Sequence, residues 1–247
     1  MFLIIGRAED SFCQAIQSHL RAGNHECRIV GELFQVPASA AVGVSCHEVL
    51  AQCKDVNGDW LYENDFQGVY VRELVYPEAS VWTAEDYRYV SQEITGAFLG
   101  WTAALPCPVL NRYEPRTWYM RFSSVLAWRM IARRCGLEVS DRAGEEIAPG
   151  GHQLRLYRAA VIGDDLVWDL FPPPDHDQLV SPLRRFMNLN SLSLLEAVFN
   201  FEQDHCCLYA IAFELSPWQF SPHARQEITS KLVALLTGGS PTVNRAK

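Results

Sequence analysis

The chain opens on Phe2-Leu3-Ile4-Ile5-Gly6, an uninterrupted apolar run closed by glycine, and the segment that follows places Phe12, Ile16 and Leu20 four residues apart before Gly23. A run this short suits a strand buried on both faces, while the fourfold spacing is that of an amphipathic helix. The alternation continues. "HECRIVGEL" and "GVYVREL" read as further strands, "EDYRYVSQEITGAFLGWTAAL" carries apolar residues at helical spacing until "PCP", and "PVLN" reads as the next short buried strand. Strands separated by helices pair in parallel through right-handed crossovers. Residues 1–113 are therefore expected to form a small doubly wound α/β, Rossmann-like domain. The loop at Gly6 lacks the G-x-G-x-x-G pattern, so no dinucleotide fingerprint is present.

The second part reads differently. After Pro115, "RTWYMRFSSVLAWRMIARRCGLEV" predicts a helix of about five turns ended by Gly136, with Arg121, Arg129, Arg133 and Arg134 mostly on a solvated face. "HQLRLYRAAVIGDDLVWDLF" predicts two strands joined at Gly163-Asp164-Asp165. Asp175, His176 and Asp177 follow three prolines and read as a surface connection. "SLSLLEAVFNFEQDHCCLYAIAFEL" predicts a helix leading into two strands, and the segment from Ser221 to Gly238 a closing helix capped by Ser221 with Pro222 at its first position. These elements give an α+β domain over residues 114–240, with 241–247 as a flexible tail.

Charge and composition exclude some function classes. Acidic residues outnumber basic ones 29 to 21, a net charge of −8, so no basic field draws in nucleic acid or an anionic membrane. The apolar run at the start is too short for a signal-peptide core, and no stretch approaches the roughly 20 apolar residues of a membrane span. A cytoplasmic location is expected. Eight scattered cysteines without a C-x-x-C pair read as buried small hydrophobes rather than as metal or disulfide frameworks.

The order of "FLIIG", "LPCPVLNR", a long helix ending "RRCGLEVSD", "HQLRLYRAAVIGDDLVWDL", "CCLYAIAFELSPWQF" and a closing helix resembles the ATP-grasp peptide ligases of the graspetide (microviridin) and RimK-like types. The resemblance implies a Rossmann-like preATP-grasp domain followed by a truncated ATP-grasp domain, with chemistry that activates a carboxylate as an acyl phosphate. It implies that Arg155 stands where the family keeps an arginine facing the phosphates. It also implies that Glu214 keeps the place of the magnesium-holding glutamate, with Ser216 where the family has asparagine. The upstream family aspartate falls at Phe199; Asn200 or Glu196 would replace it only with a shift of register.

Phosphoryl transfer is catalysed by positioning and charge neutralisation, so lysine, arginine and magnesium are its machinery. The chain has three lysines, Lys54, Lys231 and Lys247, and none from 55 to 230, where the family's nucleotide lobe supplies two. The expected function is accordingly that of a degenerate ATP-grasp relative, a binding or accessory subunit in peptide or natural-product modification that needs no cofactor. Its partner is a peptide or protein, for which Trp118, Tyr119, Arg121 and Trp128 are candidate contacts because aromatic residues and arginine dominate binding hot spots. The resemblance also admits a homodimer. The alternative is a compact ATP-dependent carboxylate-amine ligase. In it Arg116, Arg121, Arg155 and Arg158 replace lysine at the phosphates, as bidentate guanidinium groups can. Glu214, Ser216 and Asp169 or Asp165 then hold Mg.

Overall fold

The computed structural model describes residues 1–31, 33, 40–44, 49–55, 57–74, 76, 78–110, 125–141, 143, 156–202 and 205–238. The chain divides into two compact units, Met1–Glu114 and Pro115–Lys247.

In the first unit, β1 (Phe2–Ile5) pairs in parallel with β2 (Cys27–Val30) on one side and β6 (Gly68–Val71) on the other, and β6 pairs in parallel with β7 (Val109–Leu110). Every residue of β1 and β6 is buried, which is why both runs lack the polar alternation of a one-sided strand. Helix α1 (Ser11–Ala22) connects β1 to β2 and buries Phe12, Ile16 and Leu20, the three residues whose spacing predicts it. Its N-cap is Asp10, whose carboxylate accepts from the backbone N–H groups of Phe12 and Cys13. Helix α2 (Ala84–Ala104) precedes β7 and starts at Thr83, whose hydroxyl accepts from the Asp86 N–H.

Between β2 and β6 the structure departs from simple alternation. Strands β3 (Ala40–Val44), β4 (Val49–Lys54) and β5 (Trp60–Tyr62) form a separate antiparallel sheet. Helix α2 fastens it, since the buried Trp101 donates its indole N–H to the Gln52 carbonyl at 3.2 Å. At the β4–β5 turn the Asp55 carboxylate accepts from the N–H groups of Asn57 and Asp59 and pairs with Arg28 of β2.

The second unit is a four-stranded antiparallel sheet in the order β11-β10-β8-β9, from β8 (Leu156–Ile162), β9 (Asp165–Trp168), β10 (Leu194–Glu202) and β11 (His205–Ala212). Gly163 at φ 57 makes the tight β8–β9 turn. One face of the sheet packs on α3 (Val125–Arg134) and α4 (His176–Leu189) through Tyr157, Ala159, Val161, Leu195, Ala197, Phe199 and Leu208. Helix α5 (Pro222–Leu236) runs against β8 and β9. The predicted five-turn helix is seen as α3 only from Val125, residues 111–124 lying outside the described residues; Gly136 ends it at φ +88.

Two expectations are corrected here. Asp175, His176 and Asp177 do not form a surface connection, because α4 begins at His176 and buries Leu179, Leu183, Phe186 and Met187 despite the internal Pro182. The helix expected to start at Ser191 does not form, since β10 already begins at Leu194.

The edges of this sheet are treated unequally. Beside β11, Val139 forms a parallel bridge to Leu208, with the Ser140 N–H donating to the Leu208 carbonyl and the Leu208 N–H to that of Glu138. Strand β9 has no such neighbour among the described residues. No described helix is long and apolar enough to cross a membrane.

Candidate functional site

Strand periodicity sorts the sheet residues between its faces. Ala197 and Phe199 point into the α3–α4 core, so Glu196 and Asn200 point to the opposite face, with Arg158 and the turn after β11. Glu196 is buried and both of its oxygens are engaged: one pairs with the Arg158 guanidinium, and the other accepts from the Ser216 N–H at 2.7 Å. The guanidinium also lies 5.9 Å from the centre of the Phe220 ring. Glu196 thus ties the Glu214–Pro217 turn to the middle of the sheet.

Asp169 follows β9. Its carboxylate accepts from the Ser221 N–H, and its carbonyl accepts from the Ser221 hydroxyl at 2.9 Å. An acidic group there answers the positive end of α5 and satisfies one of its unpaired N–H groups. Asp165 pairs instead with Lys231 at 3.1 Å.

Among the candidates named from the sequence, the structure brings together Arg158, Ser216 and the Glu214 turn. Glu214 and Ser216 are half-buried, and Ser216 opens the 3-10 turn Pro217–Gln219. Asp169 is committed to the start of α5. Trp128 is buried in the α3–α4 core, on the inward face of a helix whose exposed apolar residues are Val125, Leu126 and Met130. Arg116, Trp118, Tyr119, Arg121 and Arg155 lie outside the described residues.

Phe199 is likewise no stand-in for an acid. It is fully buried against Trp168, ring centres 5.7 Å apart. The register between β10 and β11 shifts at Val198/Phe199 and leaves Tyr209 as an extra residue in β11. Glu196 was the residue to find, a lone charge within the apolar stretch "SLLEAVF".

Three arrangements limit what this face does chemically. The anionic charge of Glu196 is already met by Arg158, so neither is offered to a ligand without breaking a buried pair. Among the described residues no group of three or more His, Cys, Asp or Glu side chains converges on one position. Two shallow depressions of about 500 and 550 Å³, one bordered by Arg133, Glu138 and Cys207 and the other by Arg21, Arg28 and Asp55, do not include Glu214 or Arg158. Burial pushes the Cys13, Cys27, Cys53 and Cys206 thiols up to about 12, leaving them protonated and inert.

No protein-family model and no curated protein sequence matches the chain. Solved structures do. An ATP-grasp ligase associated with ribosomally made peptides from Chryseobacterium gregarium, solved with ADP and a leader and core peptide, superposes with a TM-score of 0.71 at 12% identity, over 100% of this chain and 99% of that one. The macrocyclase MdnC of Microcystis aeruginosa, bound to the precursor peptide MdnA, gives 0.72 at 12% identity over 96% and 99% of the two chains. The ATP-grasp ligase PsnB with a phosphomimetic minimal precursor, Mg and ADP gives 0.69 at 16% identity over 96% and 97%. At such identities the likeness is one of fold: the chain has the mixed α/β fold of the ATP-grasp peptide ligases.

Proposed function

We propose that this chain is a peptide-binding protein of the ATP-grasp ligase type that works in peptide modification, within natural-product biosynthesis. The single observation that carries this reading is the end-to-end superposition on ligases solved with their precursor, leader or core peptides.

Two observations bear on its chemistry and favour different readings. The comparisons favour an ATP-dependent ligase over a subunit without cofactor, since the matching structures include ligases holding ADP, a triphosphate analogue and Mg. In that reading Arg116, Arg121 and Arg155 neutralise the phosphates in place of lysine, Arg158 joins them by leaving Glu196, and Glu214 with Ser216 contributes oxygen to magnesium. Asp169 stays with α5. The residues of the chain itself favour the second reading, a non-ligating accessory subunit: there is no lysine from 55 to 230, and the described arginine and glutamate of the site neutralise each other.

A thermal-shift titration with Mg-ATP and with ADP separates them. A ligand that binds only the folded state raises the melting temperature by mass action. The ligase reading expects a rise that Arg155→Ala and Glu214→Ala each abolish; a flat response at millimolar nucleotide leaves the accessory subunit. Both readings require a peptide partner. Failure to recover any peptide or peptide-bearing protein by affinity capture from the native host under several conditions would sink both.

A further inference from the structure

Strand β9 is an edge of the second unit's sheet. The Asp169 N–H donates inward to the Arg158 carbonyl at 3.0 Å. Backbone direction alternates along an antiparallel strand, so Asp165 and Val167 also bond inward, while Leu166 and Trp168 turn their N–H and C=O groups outward. Among the described residues no strand pairs with that edge, and β9 itself carries no proline or lysine. Leu170 and Phe171 continue directly from the strand and are 72% and 77% exposed. Trp218, 68% exposed, lies in the turn that leads into Ser221, which holds Asp169.

The faces of β9 differ in character. Leu166 and Trp168 pack towards the α3–α4 core, and Leu170 follows them in the same alternation. Asp165, Val167 and Asp169 face the α5 side. A strand added to this edge sets every second side chain beside leucine or tryptophan and the others beside Asp165, Val167 and Asp169, where at the two aspartates opposite charge is favoured and like charge is not. The geometry points to β9 as a docking edge for an extended peptide that alternates apolar and basic residues. This rests on the peptide-binding reading above and names the partner's chemistry. A second copy fits poorly, because a twofold axis at Val167 would put Asp165 opposite the second copy's Asp169.

The test uses the full chain and two capped synthetic octapeptides, one alternating leucine with lysine and one leucine with glutamate. The leucine–lysine peptide should slow hydrogen exchange at the Leu166 and Trp168 amides and bind at least about tenfold more tightly than the glutamate peptide, with the preference shrinking in high salt. Leu166→Pro should abolish binding by removing an outward donor at a position where a strand tolerates proline. Should that variant fail to fold, the leucine–lysine peptide N-methylated at alternate residues replaces it, and unmodified protein should then show no binding. Equal binding of the two peptides, unchanged exchange at the two amides, or protection of those amides by protein dimerisation without peptide would each overturn the proposal. If folded Leu166→Pro captures the native peptide as well as the parent protein does, the peptide-binding function stands and the β9 edge falls.

Discussion

Glu196 joins three segments that are far apart in the chain: β10 itself, Arg158 on β8, and the turn at Ser216. Glu196→Ala leaves a mostly buried guanidinium without its counter-charge and a backbone N–H without an acceptor, a loss of about 2–3 kcal/mol. The urea midpoint should fall accordingly with an unchanged slope. Because Arg158→Met removes the stranded charge, the double variant should lose less than the sum of the two single losses. None of this geometry was legible from local pattern, since Glu196 and Arg158 share a face only once β8 and β10 are paired in this register. Asp55 is a second residue with a readable consequence. Burial raises its pKa, but the N–H groups of Asp59 and Asn57 and the Arg28 guanidinium together hold it below the usual carboxylate value. A depressed pKa contributes stability that is present above the unfolded value, near 3.9, and is lost as pH falls through the lower folded value. Acid titration of stability should therefore show a falling limb below about pH 4 that flattens in Asp55→Asn.

Helix α1 shows how much an element owes to the residue before it. Asp10 caps its first turn and also accepts from the Nε–H of the buried Arg72 at 3.1 Å. Asp10→Ala removes both roles and should cost about 2–3 kcal/mol, whereas Asp10→Asn keeps a cap acceptor and should cost about 1 kcal/mol. Thermal or urea unfolding of the two variants measures the difference. Elements of this kind were plain in the sequence: β1, α1, β6 and α5 follow from apolar spacing and capping residues. Gly23 does end α1, although the left-handed position falls one residue later, at Asn24 with φ 60. The elements that escaped had mixed signals. Helix α4 begins beside three prolines and contains Pro182, which masks the helical spacing of Leu179, Leu183 and Phe186. The β3–β5 sheet was announced only by Asn57-Gly58, a hairpin signal whose glycine adopts φ +85.

For the molecule as a whole, the order of elements carried more information than any motif: strand–helix alternation ending near "PVLN", then a helix, a hairpin, two long strands and a closing helix, is the sequence of the observed fold apart from α4 and the β3–β5 sheet. What that order does not encode is whether the site still works, because that depends on side-chain pairing across the sheet and on arginines that pattern alone assigns to a solvated face. The cysteines offer a measurement at this scale. Cys13, Cys27 and Cys53 are buried in the first unit, and Cys135 and Cys206 in the core of the second. Burial raises the pKa of all five, to about 12 for Cys13, Cys27, Cys53 and Cys206, so at pH 8 the folded chain holds them as thiols and alkylation requires opening of the surrounding core. Each unit has its own sheet or sheets and its own buried apolar residues. Pulsed alkylation along a urea gradient, read by mass spectrometry, should therefore sort the thiols into two groups. Cys13, Cys27 and Cys53 should react with one midpoint and Cys135 and Cys206 with another, each group opening cooperatively. A single midpoint shared by all five would mean that the two interiors unfold as one.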